Sequence, residues 1–179
     1  LAHARCLKLH MDGARFANAV ASLGCSPADI TWRAGVDVLS FGATKNGALT
    51  AEAVVFFDPQ LVADFEFRRK RAAHLLSKSR YVSAQLLAYI ENDLWLELAR
   101  HANTLAQRIG AAAGTALMHP VQANEVFVKL GDAKIASLRS AGFEFYDWGA
   151  SGSGEARFVV SWCQTDADVD ALCAALCSN

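Results

Sequence analysis

The sequence predicts an α/β fold with a mainly parallel sheet, followed by a small α+β domain. Three observations carry that expectation. Short strand-like runs alternate with helix-like stretches through the first half of the chain, and the runs over 36–41 and 53–57 are nearly apolar throughout. Strands of that kind belong to parallel or mixed sheets covered on both faces. From about residue 120 the chain carries strands and helices of its own, the pattern of a separate compact unit. A boundary is therefore expected between residues 90 and 110, with 1–100 in one domain and 101–179 in the next.

Each element has its own justification. The run over 7–11 alternates weakly and is short, as a strand end would be. Residues 14–23 are alanine-rich and apolar, a helix that Gly24 stops. Ser26 and Pro27 supply a cap and a first-turn proline for a short helix over 28–33. The second and third strands are the runs over 36–41 and 53–57, and the loop between them holds Lys45. Asp58-Pro59 ends the third strand, and 60–71 reads as an amphipathic helix. A long helix over 83–113, with Trp95, Leu98 and Leu105 on its apolar positions, connects the two domains. Strands over 121–130, 143–148 and 157–162 follow, with a helix over 132–141 between the first two. A closing helix over 166–177 starts from Thr165 as its cap. No internal repeat or low-complexity segment interrupts this order.

Composition excludes several classes. Of 179 residues, 53% are hydrophobic and 20% charged, as in soluble globular proteins. A net charge of −1 argues against a nucleic-acid partner, which would call for a clustered basic face. No apolar run approaches the roughly 18 residues that span a bilayer, so no membrane partner is expected. The chain starts Leu1-Ala2-His3-Ala4-Arg5, without an initiator Met or a signal-peptide stretch, and its first strand begins almost at once. That start suggests further sequence upstream. The five cysteines (Cys6, Cys25, Cys163, Cys173 and Cys177) are odd in number and show no zinc or redox spacing. They read as free, mostly buried thiols in a reducing compartment, which makes the expected location cytoplasmic. His10, His74 and His119 have no partner spacing for zinc, and no metal is assigned.

Two short segments carry the chemistry. Leu9-His10-Met11-Asp12-Gly13-Ala14-Arg15 closes the first strand, and Ser40-Phe41-Gly42-Ala43-Thr44-Lys45-Asn46-Gly47 closes the second. Taken singly, Asp12 is an ordinary helix cap, Arg15 a solvated helix residue and Lys45 a surface lysine. Taken together, an acid at one strand end and a lysine at a neighbouring one suit pyridoxal phosphate. The lysine forms a Schiff base with the cofactor aldehyde, and the acid keeps the pyridine nitrogen protonated so that the ring accepts electrons. The glycines beside Lys45 let the backbone approach a ligand closely. They lack the spacing of a nucleotide phosphate loop.

Other candidates are weaker. Arg68-Arg69-Lys70-Arg71 and Lys78-Ser79-Arg80 fit a solvated helix face or a phosphate contact from a neighbouring subunit equally well. Ser40, Ser151 and Ser153 lack the setting of a nucleophile elbow. Arg157 opens an apolar strand after the loop Ser151-Gly152-Ser153-Gly154, where it could fork onto a carboxylate.

Together these segments resemble the L-threonine aldolase family of pyridoxal phosphate enzymes, in the aspartate-aminotransferase-like fold (fold type I). The likeness runs through the His10–Ala19 and Val36–Gly47 segments, Glu52-Ala53-Val54-Val55-Phe56-Phe57, the basic stretch to Arg80, Pro120-Val121-Gln122-Ala123-Asn124 and Ala156-Arg157-Phe158. The resemblance implies Lys45 as the cofactor-linked catalytic lysine and Asp12 as the partner of the pyridine nitrogen. It implies Arg15, beside the cofactor, and Arg157 as holders of the substrate carboxylate. One of Lys70, Lys78 and Arg80 would reach a cofactor phosphate. The implied reaction cleaves β-hydroxy-α-amino acids to glycine and an aldehyde, in a dimer or tetramer with shared active sites. Asn46-Gly47-Ala48-Leu49-Thr50 departs from the glycine-leucine-glycine segment of many relatives, a difference that bears on substrate selectivity. In the family, the phosphate cradle and the ring stacked on the cofactor come from a first half of the large domain. The chain is thus expected to match the C-terminal half and to need an N-terminal half for activity. The rival expectations are another lyase or a racemase of this fold, and a non-catalytic scaffold.

Overall fold

In the computed structural model, which describes residues 1–178, three strands pair early in the chain. Strand β1 (His10–Gly13) lies parallel to β2 (Val38–Gly42), and β3 (Glu52–Phe56) runs antiparallel to β2 on its other side. The register sets Asp12 opposite Ser40 and Gly13 opposite Phe41. Side chains alternate along a strand, so Met11, Leu39 and Phe41 share one face while His10, Asp12 and Ser40 share the other. A Cβ on Gly13 would sit 2.5 Å from the Ser40 carbonyl oxygen, which explains the glycine directly after Asp12.

The covered face is aromatic. Helix α1 (Phe16–Leu23), ended by Gly24 at φ 61°, brings Phe16 against Phe41, with ring centroids 6.0 Å apart. Tyr89 and Trp95 complete the cluster at 5.9 Å each from Phe41. Such edge and offset contacts add to the stabilisation that the buried area already gives. The expected cover on both faces is not met among the described residues. These rings gather on one side only, and Asp12 and Val54, on the other, are exposed.

Several expected helices are shorter or broken, each for a local reason. Residues 28–33 form turns and end in the 3₁₀ turn Trp32–Ala34 instead of an α-helix. There the Thr31 hydroxyl donates to the Pro27 carbonyl, and Ala34 N–H bonds back three residues to Thr31. The expected helix over 60–71 is divided by Asp64, which adopts φ 61°, so that only α2 (Phe65–Arg71) is α-helical. The long connecting helix splits into α3 (Arg80–Ile90) and α4 (Leu94–Ala113). Asn92 and Asp93 take φ 54° and 58°, a region that short polar side chains tolerate better than others.

Asp37 ties the amino ends of this sheet together. It accepts the Leu9 N–H at 2.8 Å, and His3 Nε2 and Lys8 Nζ lie 2.9 and 3.4 Å from its oxygens. The Leu9 hydrogen bond first, then His3, holds the carboxyl at about 2, below the usual value of 3.8. A depressed folded-state value stabilises above the unfolded value and is lost as pH falls through the folded one. Wild-type stability should therefore fall more steeply between about pH 4 and pH 2 than that of Asp37→Asn. Thermal unfolding across that range checks it, and equal slopes would assign the acid limb elsewhere.

The chain divides into two compact units, Leu1–Glu97 and a second from Leu98 onward. In the second, β4 (Glu125–Lys129), β5 (Tyr146–Trp148) and β6 (Glu155–Val159) form an antiparallel sheet in the order β4-β6-β5. The last strand thus begins two residues before Arg157 and stops short of 162. Helices α5 (Asp132–Ser140) and α6 (Asp166–Cys177) join the sheet and the later turns of α4. On α4, Ala102, Leu105, Ala106 and Ile109 recur at helical spacing and meet Val126, Val128, Phe158, Leu138 and Val169 in one core. Thr165 caps α6 in a reciprocal box with Asp168, as its sequence position suggests. All five cysteines are free, but Cys6, Cys163 and Cys177 are exposed, contrary to the expected burial. They stand in turns or in the last turn of a helix, outside both cores. No helix among the described residues is long and apolar enough to cross a membrane.

Candidate active site

Asp12 and Lys45 stand at the carboxyl ends of adjacent parallel strands. Asp12 is the penultimate residue of β1, exposed, with one carboxylate oxygen accepting the Ala14 N–H at 2.9 Å. That hydrogen bond fixes the side chain and leaves the second oxygen for another donor. Three residues beyond the end of β2, Lys45 occupies the middle of a 3₁₀ turn, Thr44–Asn46. Its side chain is exposed, and among the described residues it makes no hydrogen bond or ion pair. Arg15 follows the same strand end as the half-buried N-cap of α1.

The turn that carries Lys45 is tightly held. Ala43 N–H donates to the Ala51 carbonyl, and Ala51 N–H donates to the Thr44 hydroxyl. The Gln85 side chain accepts from Leu49 and Thr50 N–H, at 2.9 and 3.3 Å. Beneath Lys45, the buried Asn46 amide donates to the Tyr89 hydroxyl and to the Trp95 carbonyl. Burial raises the Tyr89 phenol above its usual value, with the Asn46 hydrogen bond opposing it, so the oxygen stays protonated at neutral pH. On the strand face that carries Asp12, His10 Nε2 lies 2.8 Å from Ser40 Oγ.

Arg157 belongs to the second unit. On β6 it faces Phe127 on one side and Tyr146 on the other. Its guanidinium carbon sits 5.6 Å from the Tyr146 ring and 5.5 Å from that of Trp148. One terminal nitrogen pairs with Glu125 at 3.4 Å, while the buried Nε has no hydrogen-bond partner. The rings and the acid hold the plane, and the Nε edge is the one left for a planar anion. The glycine loop before it is a hairpin connection, with Gly149, Gly152 and Gly154 at positive φ.

This donor set fits pyridoxal phosphate. An accessible primary amine can be linked covalently, and an accessible carboxylate can pair with a protonated ring nitrogen. The phosphate has no assigned partner: Lys70, Lys78 and Arg80 are all exposed, and Arg69 instead donates to the His74 carbonyl. No group of three or more His, Cys, Asp or Glu side chains among the described residues could hold a metal. Asn46, Ser40 and Glu125 were not legible as site residues. Strand alternation could have paired His10 with Asp12, but Glu125 meets Arg157 only through the pairing of β4 with β6. Nothing local marks Asn46, whose partners lie 43 and 49 residues away.

Comparison with known proteins shows which family the chain resembles. The beta-eliminating lyase family matches residues 1–133. A low specificity L-threonine aldolase of Pseudomonas aeruginosa is 48% identical over 168 residues, covering 92% of this chain and 47% of that protein. The structure is similar to that of Leishmania major threonine aldolase, with a TM-score of 0.88 and 26% identity over 97% of this chain and 52% of the other. A putative L-allo-threonine aldolase from Listeria monocytogenes shares the fold, with a TM-score of 0.69 and 20% identity over 98% of this chain and 53% of that one. The chain spans about half the length of the curated relatives it matches. With a family match over 1–133 and the fold of fold-type I enzymes, the chain belongs to the beta-eliminating lyase family.

Proposed function

We propose that this chain forms part of a pyridoxal-phosphate-dependent carbon–carbon lyase, one that cleaves β-hydroxy-α-amino acids of the threonine type to glycine and an aldehyde. The observation that carries the reading is an accessible Asp12 carboxylate near the end of β1 and an accessible Lys45 amine just beyond the end of β2, the strand parallel to it. The names of the relatives support the choice of reaction. When bound, the cofactor supplies an electron sink for charge developing at the substrate α-carbon.

The residues of the chain have separate tasks. Lys45 would hold the cofactor covalently through its accessible amine. Asp12, negatively charged and held by the Ala14 N–H, keeps a proton on the ring nitrogen. Arg15 is a candidate to hold the substrate carboxylate, and Arg157, in the second unit, is another by the same bidentate chemistry. The free cysteines support a reducing, cytoplasmic setting. Exposed apolar side chains such as Phe67, Leu76 and Leu87 support burial against a second subunit or an N-terminal half of the enzyme.

The family name admits β-elimination as a second reading. Incubating the holoenzyme with threonine, allo-threonine, phenylserine and serine separates the two. Glycine and aldehyde in equal amounts are expected; ammonia and a keto acid without glycine would establish elimination instead.

A further inference from the structure

Asn46 is 2% exposed and Tyr89 3%, yet both are polar and meet through a hydrogen bond. A buried amide is costly unless its groups are matched. Here both amide protons are used, at 2.7 Å to the Tyr89 hydroxyl and 2.8 Å to the Trp95 carbonyl. The backbone N–H of Asn46 donates to Ala43, closing the turn. In a 3₁₀ turn successive side chains leave the axis about 120° apart. Fixing the Asn46 side chain inward therefore turns Lys45 outward, as its exposure records.

We propose that Asn46, clamped by Tyr89 and the Trp95 carbonyl, is the positioning residue that aims the Lys45 amine. The clamp reaches from the lysine turn to α3 and to the start of α4. It locks the turn to the aromatic cluster beneath β2, because Tyr89 and Trp95 are two of that cluster's four rings. Thr44 and Gln85 hold the two flanks of the loop, and Asn46 anchors it from below. Tyr89 has no role in chemistry under this proposal; it acts by holding the amide.

The proposal rests on Lys45 as the cofactor-linked lysine, and its test separates the two. In wild-type holoenzyme, borohydride reduction and peptide mapping establish whether Lys45 carries the cofactor; a label elsewhere would defeat the functional reading. With Lys45 confirmed, Asn46→Ala and Tyr89→Phe apoenzymes are mixed with pyridoxal phosphate below their unfolding temperatures. The rate at which Lys45 becomes trappable should fall about 10- to 100-fold in Asn46→Ala and less in Tyr89→Phe. Turnover should fall with it, while KM stays within about threefold. A merely structural role would lower the unfolding temperature without changing the trapping rate of folded protein. Wild-type trapping rates in folded variants would overturn the proposal. Should Asn46→Ala fail to fold, Tyr89→Phe decides, since it deletes one oxygen and keeps the ring.

Discussion

Lys45→Ala is expected to remove the cofactor's covalent attachment entirely and to lower turnover by at least about 10³-fold, or about 4 kcal/mol of barrier. The amine is the only group on its turn able to link an aldehyde, and no local ion pair competes for it among the described residues. Two measurements check this. The visible absorbance of the lysine-bound cofactor should be lost in the variant, and peptide mapping after borohydride should find no pyridoxyl label at residue 45. A label on a different lysine, with turnover retained, would remove Lys45 from the role. Because the side chain projects from a turn whose hydrogen bonds are made by its neighbours, the variant should unfold close to the wild-type temperature.

Arg157→Ala should raise KM by about 2–4 kcal/mol of lost charge-assisted binding, or about 30- to 700-fold. Arg157→Lys should recover only part of this, since an ammonium keeps the charge and loses the planar fork. Steady-state kinetics on the assembled enzyme provide the check, and an unchanged KM would make Arg157 a structural residue of its sheet. The surroundings bear on the size of the effect. Glu125 occupies one terminal nitrogen and two rings cover the guanidinium, so the side chain is already ordered before a substrate carboxylate arrives. Less rotamer entropy is then lost on binding, and removing the group costs more.

Some of the fold could be read without coordinates. The caps were local: Thr165 with Asp168 for α6, and Gly24 for α1, each satisfied within a few residues. The division of 60–71 and of 83–113 was not legible, because Asp64, Asn92 and Asp93 reach positive φ where an unbroken helix was equally compatible with composition. Nor could the direction of β3 be read, since its valine-rich run suits either pairing; the antiparallel register with β2 follows from the path of the Lys45 loop.

The site divides in the same way. Asp12, Arg15 and Lys45 were accessible to sequence reasoning as candidates because each sits at or just beyond a strand end marked by glycine, where such sheets place their chemistry, whereas Arg157 lies in the middle of β6. The supporting groups depend on distant partners: Asn46 on Tyr89 and Trp95, Glu125 on Arg157 across two strands. By itself, then, the sequence determined which residue types stand at the carboxyl ends of the strands, since alternation and glycine placement are properties of neighbours. Only the tertiary structure decided what holds them, because a buried amide chooses its acceptors after the helices have packed.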